Sequence, residues 1–347
     1  MTVRLSARVA RIALLLSAAA TASCVDSDVL GPNTTSAILP ALELVKYDSL
    51  AGGTVAFQRF GTTAGNFRGV YVVNATTLKV QSLLSGRALD RSQLSPDGLL
   101  LLYGGTTEVG ASVFDDFTVR LSDSVETRVT SAVESESYPT WAPGGTSFYH
   151  AYRGNGKTII VRRPLASATP RDTLTLPDSS VYQWIVDSPV SVHPTSGRML
   201  VVVRSRGWAL WAMDFDGGNR VQLQDDARSE IGPVFQGAAW SPDGLKIAFM
   251  ELNYNGADQM VSTSLKIMNP DGTGEGTTVT IPTLAFQFSG TSLNDFSLCW
   301  LSASRIAFNA LGNDRASHVW IARTGPVTLT QLTTNSGVFD RGVSCKP

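Results

Sequence analysis

The sequence predicts an all-β chain: a six-bladed β-propeller of four-stranded antiparallel blades, closed by a C-terminal latch strand. Three observations carry that prediction. One phrase, an aromatic or apolar residue followed by a Ser-Pro-Asp-Gly-like turn and a strand, comes back six times between Ala51 and the C-terminus. Its prolines at 96, 143, 194 and 242 are spaced by 47, 51 and 48 residues, the length of four short strands with their turns. No sustained helical period follows the first two dozen residues.

The strongest copies are Leu94-Ser95-Pro96-Asp97-Gly98 and Trp240-Ser241-Pro242-Asp243-Gly244, each running into an apolar strand. Weaker copies begin at Trp141-Ala142-Pro143 and Val192-His193-Pro194, and two without proline stand at Leu50–Gly53 and Trp300–Ser304. Proline fixes φ and Asp-Gly tolerates the left-handed conformation, so the phrase reverses the chain between two strands. The strand after it alternates, as in Lys246-Ile247-Ala248-Phe249. A third strand is expected in each unit, at Gly69–Val73, Phe117–Leu121, Thr158–Val161, Ala209–Met213, Leu265–Met268 and His318–Ile321. A polar turn such as Asp214–Asn219 then leads to a fourth.

Trp-Ser-Pro-Asp-Gly, the Ile-Ala-Phe strand, the Met213-Asp214-Phe215-Asp216-Gly217-Gly218 hairpin and the closing Leu332-Thr333 together resemble the repeat of TolB-type β-propellers. The resemblance runs from roughly residue 45 to the end. It implies a binding role, because propellers of that type use the mouth of the central channel for partner binding. Aligned on proline, Cys345-Lys346-Pro347 stands where Trp141-Ala142-Pro143 stands in its own unit. The last strand is therefore expected to complete the first blade and remove the open edges of the ring.

The first 23 residues have the form of a lipoprotein signal peptide: Arg4, Arg8 and Arg11, an apolar run, then Thr21-Ala22-Ser23 before Cys24. Cys24 is the expected lipidation site, residues 24–42 a flexible tether, and residues 43–347 the propeller. The expected location is the bacterial cell envelope, with the chain lipid-anchored at the outer membrane and facing the periplasm or the surface. Cys299 and Cys345 remain, both on first strands of units that ring closure would make neighbours, and a disulfide between them is one reading. Two buried thiols are the other.

A net charge of −1 gives no electrostatic case for nucleic acid, and the membrane enters only through the lipid. The three histidines, His150, His193 and His318, fall in different units without a partner at ligand spacing, so no metal, cofactor or catalytic residue is expected. One constellation stands out. Glu136, Asp187, Asp295 and Asp340 each lie five residues before the Trp position of their unit, and Asp90 lies four before Leu94. Either these carboxylates accept backbone N–H groups between blades, or they form an acidic ring at the channel mouth that attracts a partner.

The function expected from all this is a non-catalytic, monomeric scaffold module that binds an envelope protein or peptide segment. The alternative is a glycan- or peptidoglycan-binding propeller using Trp184, Trp208 and Trp211 as platforms. A metal-dependent lactonase or lyase is the third reading, and it needs ligands to converge.

Overall fold

The computed structural model describes residues 53–346 apart from 62–66, 75–76, 85–88, 108–112, 132–134, 156, 168–171, 177–184, 187–189, 205–207, 226–233, 256, 258, 287–295, 313, 315 and 326–327. Cys24, the leader and tether, Trp184, Asp187 and Asp295 lie outside the described residues.

The fold is all-β and propeller-like, built from four-stranded antiparallel blades. The chain opens with β1 (Thr54–Gly61), β2 (Phe67–Asn74) and β3 (Val80–Ser82). β4 (Leu89–Leu94), β5 (Leu100–Gly105), β6 (Asp115–Arg120) and β7 (Glu126–Arg128) make one four-stranded sheet in chain order. A second is β8 (Ser137–Trp141), β9 (Ser147–Gly154), β10 (Lys157–Pro164) and β11 (Asp172–Thr175). In the next sheet the first position is divided: β12 (Ile185–Val186) and β13 (Ser191–Val192) both pair with β14 (Met199–Arg204), followed by β15 (Trp208–Met213) and β16 (Val221–Asp225). The fourth contains β17 (Val234–Trp240), β18 (Ile247–Tyr254), β19 (Met260–Met268) and β20 (Gly276–Phe286).

The remaining strands are β21 (Leu298–Ser302), β22 (Arg305–Leu311), β23 (Ser317–Arg323), β24 (Leu329–Gln331) and β25 (Val338–Lys346). With β1–β3 they form an eight-stranded sheet, in which β25 lies antiparallel beside β1. Its two halves, β21–β24 and β25-β1-β2-β3, meet through one parallel pair, Ser317 with Phe339.

The hydrophobic core is divided among the faces between successive sheets. Val70 and Val72 pack on Leu101, Tyr103 and Phe117, and Leu102 on Trp141 and Phe148. Ile160 meets Val201 and Met213, while Leu200 and Leu210 meet Trp240 and Phe249. Met250 and Leu265 face Trp300 and Phe308. Val319 and Ile321 face Val55 and Phe57.

The atoms of the repeated turn account for its residue types. Ser95 Oγ accepts the N–H of Leu100 and donates to Asp97 Oδ1, which also accepts the N–H of Leu99 at 2.9 Å. Ser241, Asp243, Leu245 and Lys246 repeat that arrangement. Gly98 and Gly244 close the turns at φ 74° and 72°, a conformation that costs side chains with a Cβ. In the weaker copy His193 Nδ1 takes over, accepting the N–H groups of Thr195 and Ser196.

Neighbouring first strands are sewn together at one register position. The residue before the Trp position reaches the Trp position of the following sheet: Ser344 Oγ accepts the N–H of Leu94, Gln93 Oε1 that of Trp141, and Ser191 Oγ that of Trp240. Indole N–H groups add to it, Trp141 donating to Gln93 O and Trp300 to Ala239 O, both at 3.1 Å. Cys299 and Cys345 occupy these same two positions. There the link is a disulfide, with Cα atoms 5.5 Å apart.

Candidate functional site

The first strands surround a cavity of about 250 Å³. Its lining includes Arg91 and Ser92 from β4, Val192 from β13, Gly237 from β17, Leu298 from β21 and Val343 from β25. Several of these strands carry a bulge three residues before the Trp position. Gly237 and Gly342 take φ of 54° and 64° there, and Tyr138 takes 59° although it has a side chain. The Tyr138 N–H is received by Asp90 Oδ2 at 3.0 Å, and the Arg91 guanidinium lies 5.4 Å above its ring. Arg91 also donates to Phe296 O across the cavity at 3.5 Å.

The bulge redirects two of the five carboxylates set in register, Glu136 and Asp340, while Asp187 and Asp295 lie outside the described residues. Along an unbroken strand, residues one and five before the Trp position share a face. The extra residue between them reverses the face, so the acid turns toward the preceding sheet while the stitching residue faces the following one. Asp340 is fully buried. Its Oδ1 accepts Arg59 Nε at 2.7 Å, and its Oδ2 accepts Arg59 Nη2 at 2.8 Å and Thr333 Oγ1 at 2.6 Å. Arg59 also donates to Asn335. Glu136 is buried too and accepts from Thr130 Oγ1. Glu136 and Asp340 are therefore enclosed by their own fold and present no carboxylate to a partner. Asp90 is half-buried and caps the bulge of the next strand. Trp208 lies in an inter-sheet core and so is not an open platform, while Trp211 is partly buried against another.

A cluster that the sequence did not reveal gathers around Glu136. His150 on β9 holds Asp116 Oδ2 of β6 through Nδ1, while its Nε2 lies 3.5 Å from Glu136 Oε1. Arg163 on β10 reaches Glu136 Oε1 at 3.2 Å and His150 Nε2 at 3.4 Å. Since Arg163 donates to Nε2, the imidazole proton sits on Nδ1 and faces Asp116. Asp116 Oδ1 is buried with no hydrogen-bond partner. Burial drives the Asp116 carboxyl well above its ordinary value, with the charge of Asp90 adding to the effect. Glu136 is raised by burial and then by the charge of Asp116. Burial also lowers His150 to about 4. Asp116, Glu136 and His150 each offer one ligand atom within 4.8 Å of the others, a set able to hold a metal ion. The expectation that no such group assembles rested on histidine spacing alone. The carboxylates arrive from the neighbouring sheet and its connection, 34 and 14 residues back in the chain.

His193 is a turn cap packed edge-on against Trp240, with ring centroids 4.8 Å apart. His318 Nε2 faces Asp314 Oδ2 at 2.9 Å.

No family model matches the chain. An uncharacterized protein of Agrobacterium fabrum is 30% identical over 45% of this chain, which spans about half (52%) of that relative's length. Among solved structures, TolB of Acinetobacter baumannii superposes with a TM-score of 0.65 at 16% identity, covering 85% of this chain and 67% of its own. A candidate TolB of Agrobacterium tumefaciens gives 0.53 at 15% identity, covering 85% and 99%. An oligogalacturonate lyase in complex with manganese gives 0.50 at 13%, covering 84% and 83%. The chain thus shares the TolB-like propeller fold.

Proposed function

We propose that the chain is a six-bladed ring, exported and lipid-anchored at Cys24, that binds an extended segment of an envelope protein at its central cavity without catalysing a reaction. Ring closure is supported by the six inter-sheet cores, each between consecutive units, and by the single strand pair that divides the eight-stranded sheet into two blades. The observation that carries the binding reading is the cavity. Its lining comes from every unit, so it exists only when the units are assembled. At about 250 Å³ it is smaller than the roughly 300–1,000 Å³ of drug-sized ligand sites and suits one or two inserted side chains. The TolB-like fold supports protein–protein interaction in general, and the burial of Trp208 in an inter-sheet core weakens the glycan reading.

Photo-crosslinking from Val192, which lines the cavity, in envelope extract, followed by mass spectrometry, tests the reading. A crosslinked peptide that disappears when Ser92→Leu fills the cavity is the expected result, with an unchanged thermal midpoint showing that the ring is intact. Crosslinks insensitive to the filled cavity, or glycan recovered without peptide, would overturn it.

A further inference from the structure

The same repeat position is served in two ways, and the difference points to a ligand. At the junction between β23 and β25, Thr333 Oγ1 accepts the N–H of Val319 and donates to Asp340. At the junction between β6 and β8, Thr130 Oγ1 accepts the N–H of Asp116 and donates to Glu136. Asp116 is thus the counterpart of Val319. One junction keeps a single carboxylate, gripped by Arg59 through two bonds of 2.7 and 2.8 Å. The other adds a second buried carboxylate and a histidine where the first has an apolar residue, and answers them with longer contacts from Arg163 at 3.2 and 3.4 Å.

We infer that Asp116, Glu136 and His150 form a binding site for a divalent transition-metal cation, set between two blades and separate from the central cavity. His150 Nε2 and Glu136 Oε1 are the direct ligands. Their 3.5 Å separation is close to the roughly 3.4 Å expected of two ligands about 2.1 Å from one tetrahedral ion. Asp116 orients the imidazole through Nδ1–H, the carboxylate–histidine arrangement that sharpens metal sites. Its Oδ1 is buried and without a donor, an acceptor that a water carried on the cation would satisfy. One imidazole with carboxylates is a donor set for manganese, iron or zinc rather than for copper(I). Arg163 now holds the seat. Its side chain is 12% exposed while those of His150 and Glu136 are 0% and 1% exposed, so it is the member with a route outward. Two buried carboxylates stand beside a single guanidinium here, and a divalent cation in its place would match both charges.

The test uses the mature chain, stripped with chelator and titrated with Mn²⁺ and with Zn²⁺. One equivalent retained after desalting and a raised thermal midpoint are expected. His150→Gln should abolish retention. Asp116→Asn should weaken it 10- to 100-fold, and Arg163→Met should strengthen it. Should a variant fail to fold, the wild type still decides the question by paramagnetic broadening. With three histidines in the chain, Mn²⁺ should first erase the ring signals of His150. Absence of stoichiometric metal, retention unchanged in both His150→Gln and Asp116→Asn, or earlier broadening of His193 or His318 would overturn the site.

Discussion

Arg59 grips Asp340 through Nε and Nη2 across 281 positions of sequence, and both side chains are fully buried. The pair ties β1 to β25, and the ring of Tyr71 lies under the guanidinium at 5.4 Å. Removing one partner leaves an uncompensated charge in the core. Arg59→Met should therefore cost about 3–5 kcal/mol, measured as a lowered urea midpoint. The double variant Arg59→Met with Asp340→Leu should recover part of that loss. A single variant as stable as the wild type would contradict the role given to the pair.

The cystine at Cys299 and Cys345 closes a loop with a separation of 46 residues. In the chain-entropy account such a link is worth about 4 kcal/mol. Reduction, or Cys345→Ser, should lower the denaturation midpoint accordingly. At the analogous stitch Gln93→Ala should cost about 1–3 kcal/mol, because the Trp141 N–H loses its acceptor. The comparison sets the covalent stitch against the hydrogen-bonded one in the same protein.

The bulge position gives a prediction of unequal effects. A Cβ on Gly237 would meet Phe296 O and Ser297 Cα at 3.1 Å, at a φ of 54°. Gly237→Ala should cost about 1–3 kcal/mol. Tyr138→Gly relieves a left-handed side chain and should leave stability within about 1 kcal/mol of the wild type. If Tyr138→Gly nevertheless abolishes the crosslink from the cavity, the residue is kept for binding rather than for folding.

Asp97 and Asp243 are held below their ordinary carboxyl value, first by the hydroxyls of Ser95 and Ser241 and then by the N–H groups of Leu99 and Leu245. A depressed folded value means that the contribution is present above the unfolded value and fades as pH falls through the folded one. Carboxyl ¹³C titration should find both groups ionised below pH 3.8, and Ser95→Ala or Ser241→Ala should bring the matching carboxyl back up. Both are almost fully solvated, so the readout is the titration and not global stability.

Much of the architecture was legible because it is repeated. The expected third strand at Phe117–Leu121 shares residues 117–120 with β6, and the stretch His318–Ile321 falls inside β23. The turn phrase could be read residue by residue, since Ser, Asp and Gly each act locally. The candidate site was less legible for a physical reason. The spacing put Glu136 and Asp340 at one position of the repeat, but the bulge that reverses their face is hidden near Glu136, where Tyr138 stands in for the glycine found at 237 and 342. The Asp116–His150 contact joins residues on different sheets, and neither residue breaks the local alternation. The neighbouring Asp115-Asp116 at the start of β6, ahead of Phe117, was the visible signal.

The pairing of β25 with β1 also sets a clock. Its two strands are made at opposite ends of synthesis, and at about 5–20 residues per second the 281 positions between Arg59 and Asp340 represent tens of seconds. During that interval β1 waits with one edge unpaired, available to any passing strand. The other sheets complete themselves within a few dozen residues. Oxidation of Cys299 with Cys345 thus reports that the waiting is over, and the fraction of oxidised chain in a pulse-labelled culture should serve as a timestamp for assembly.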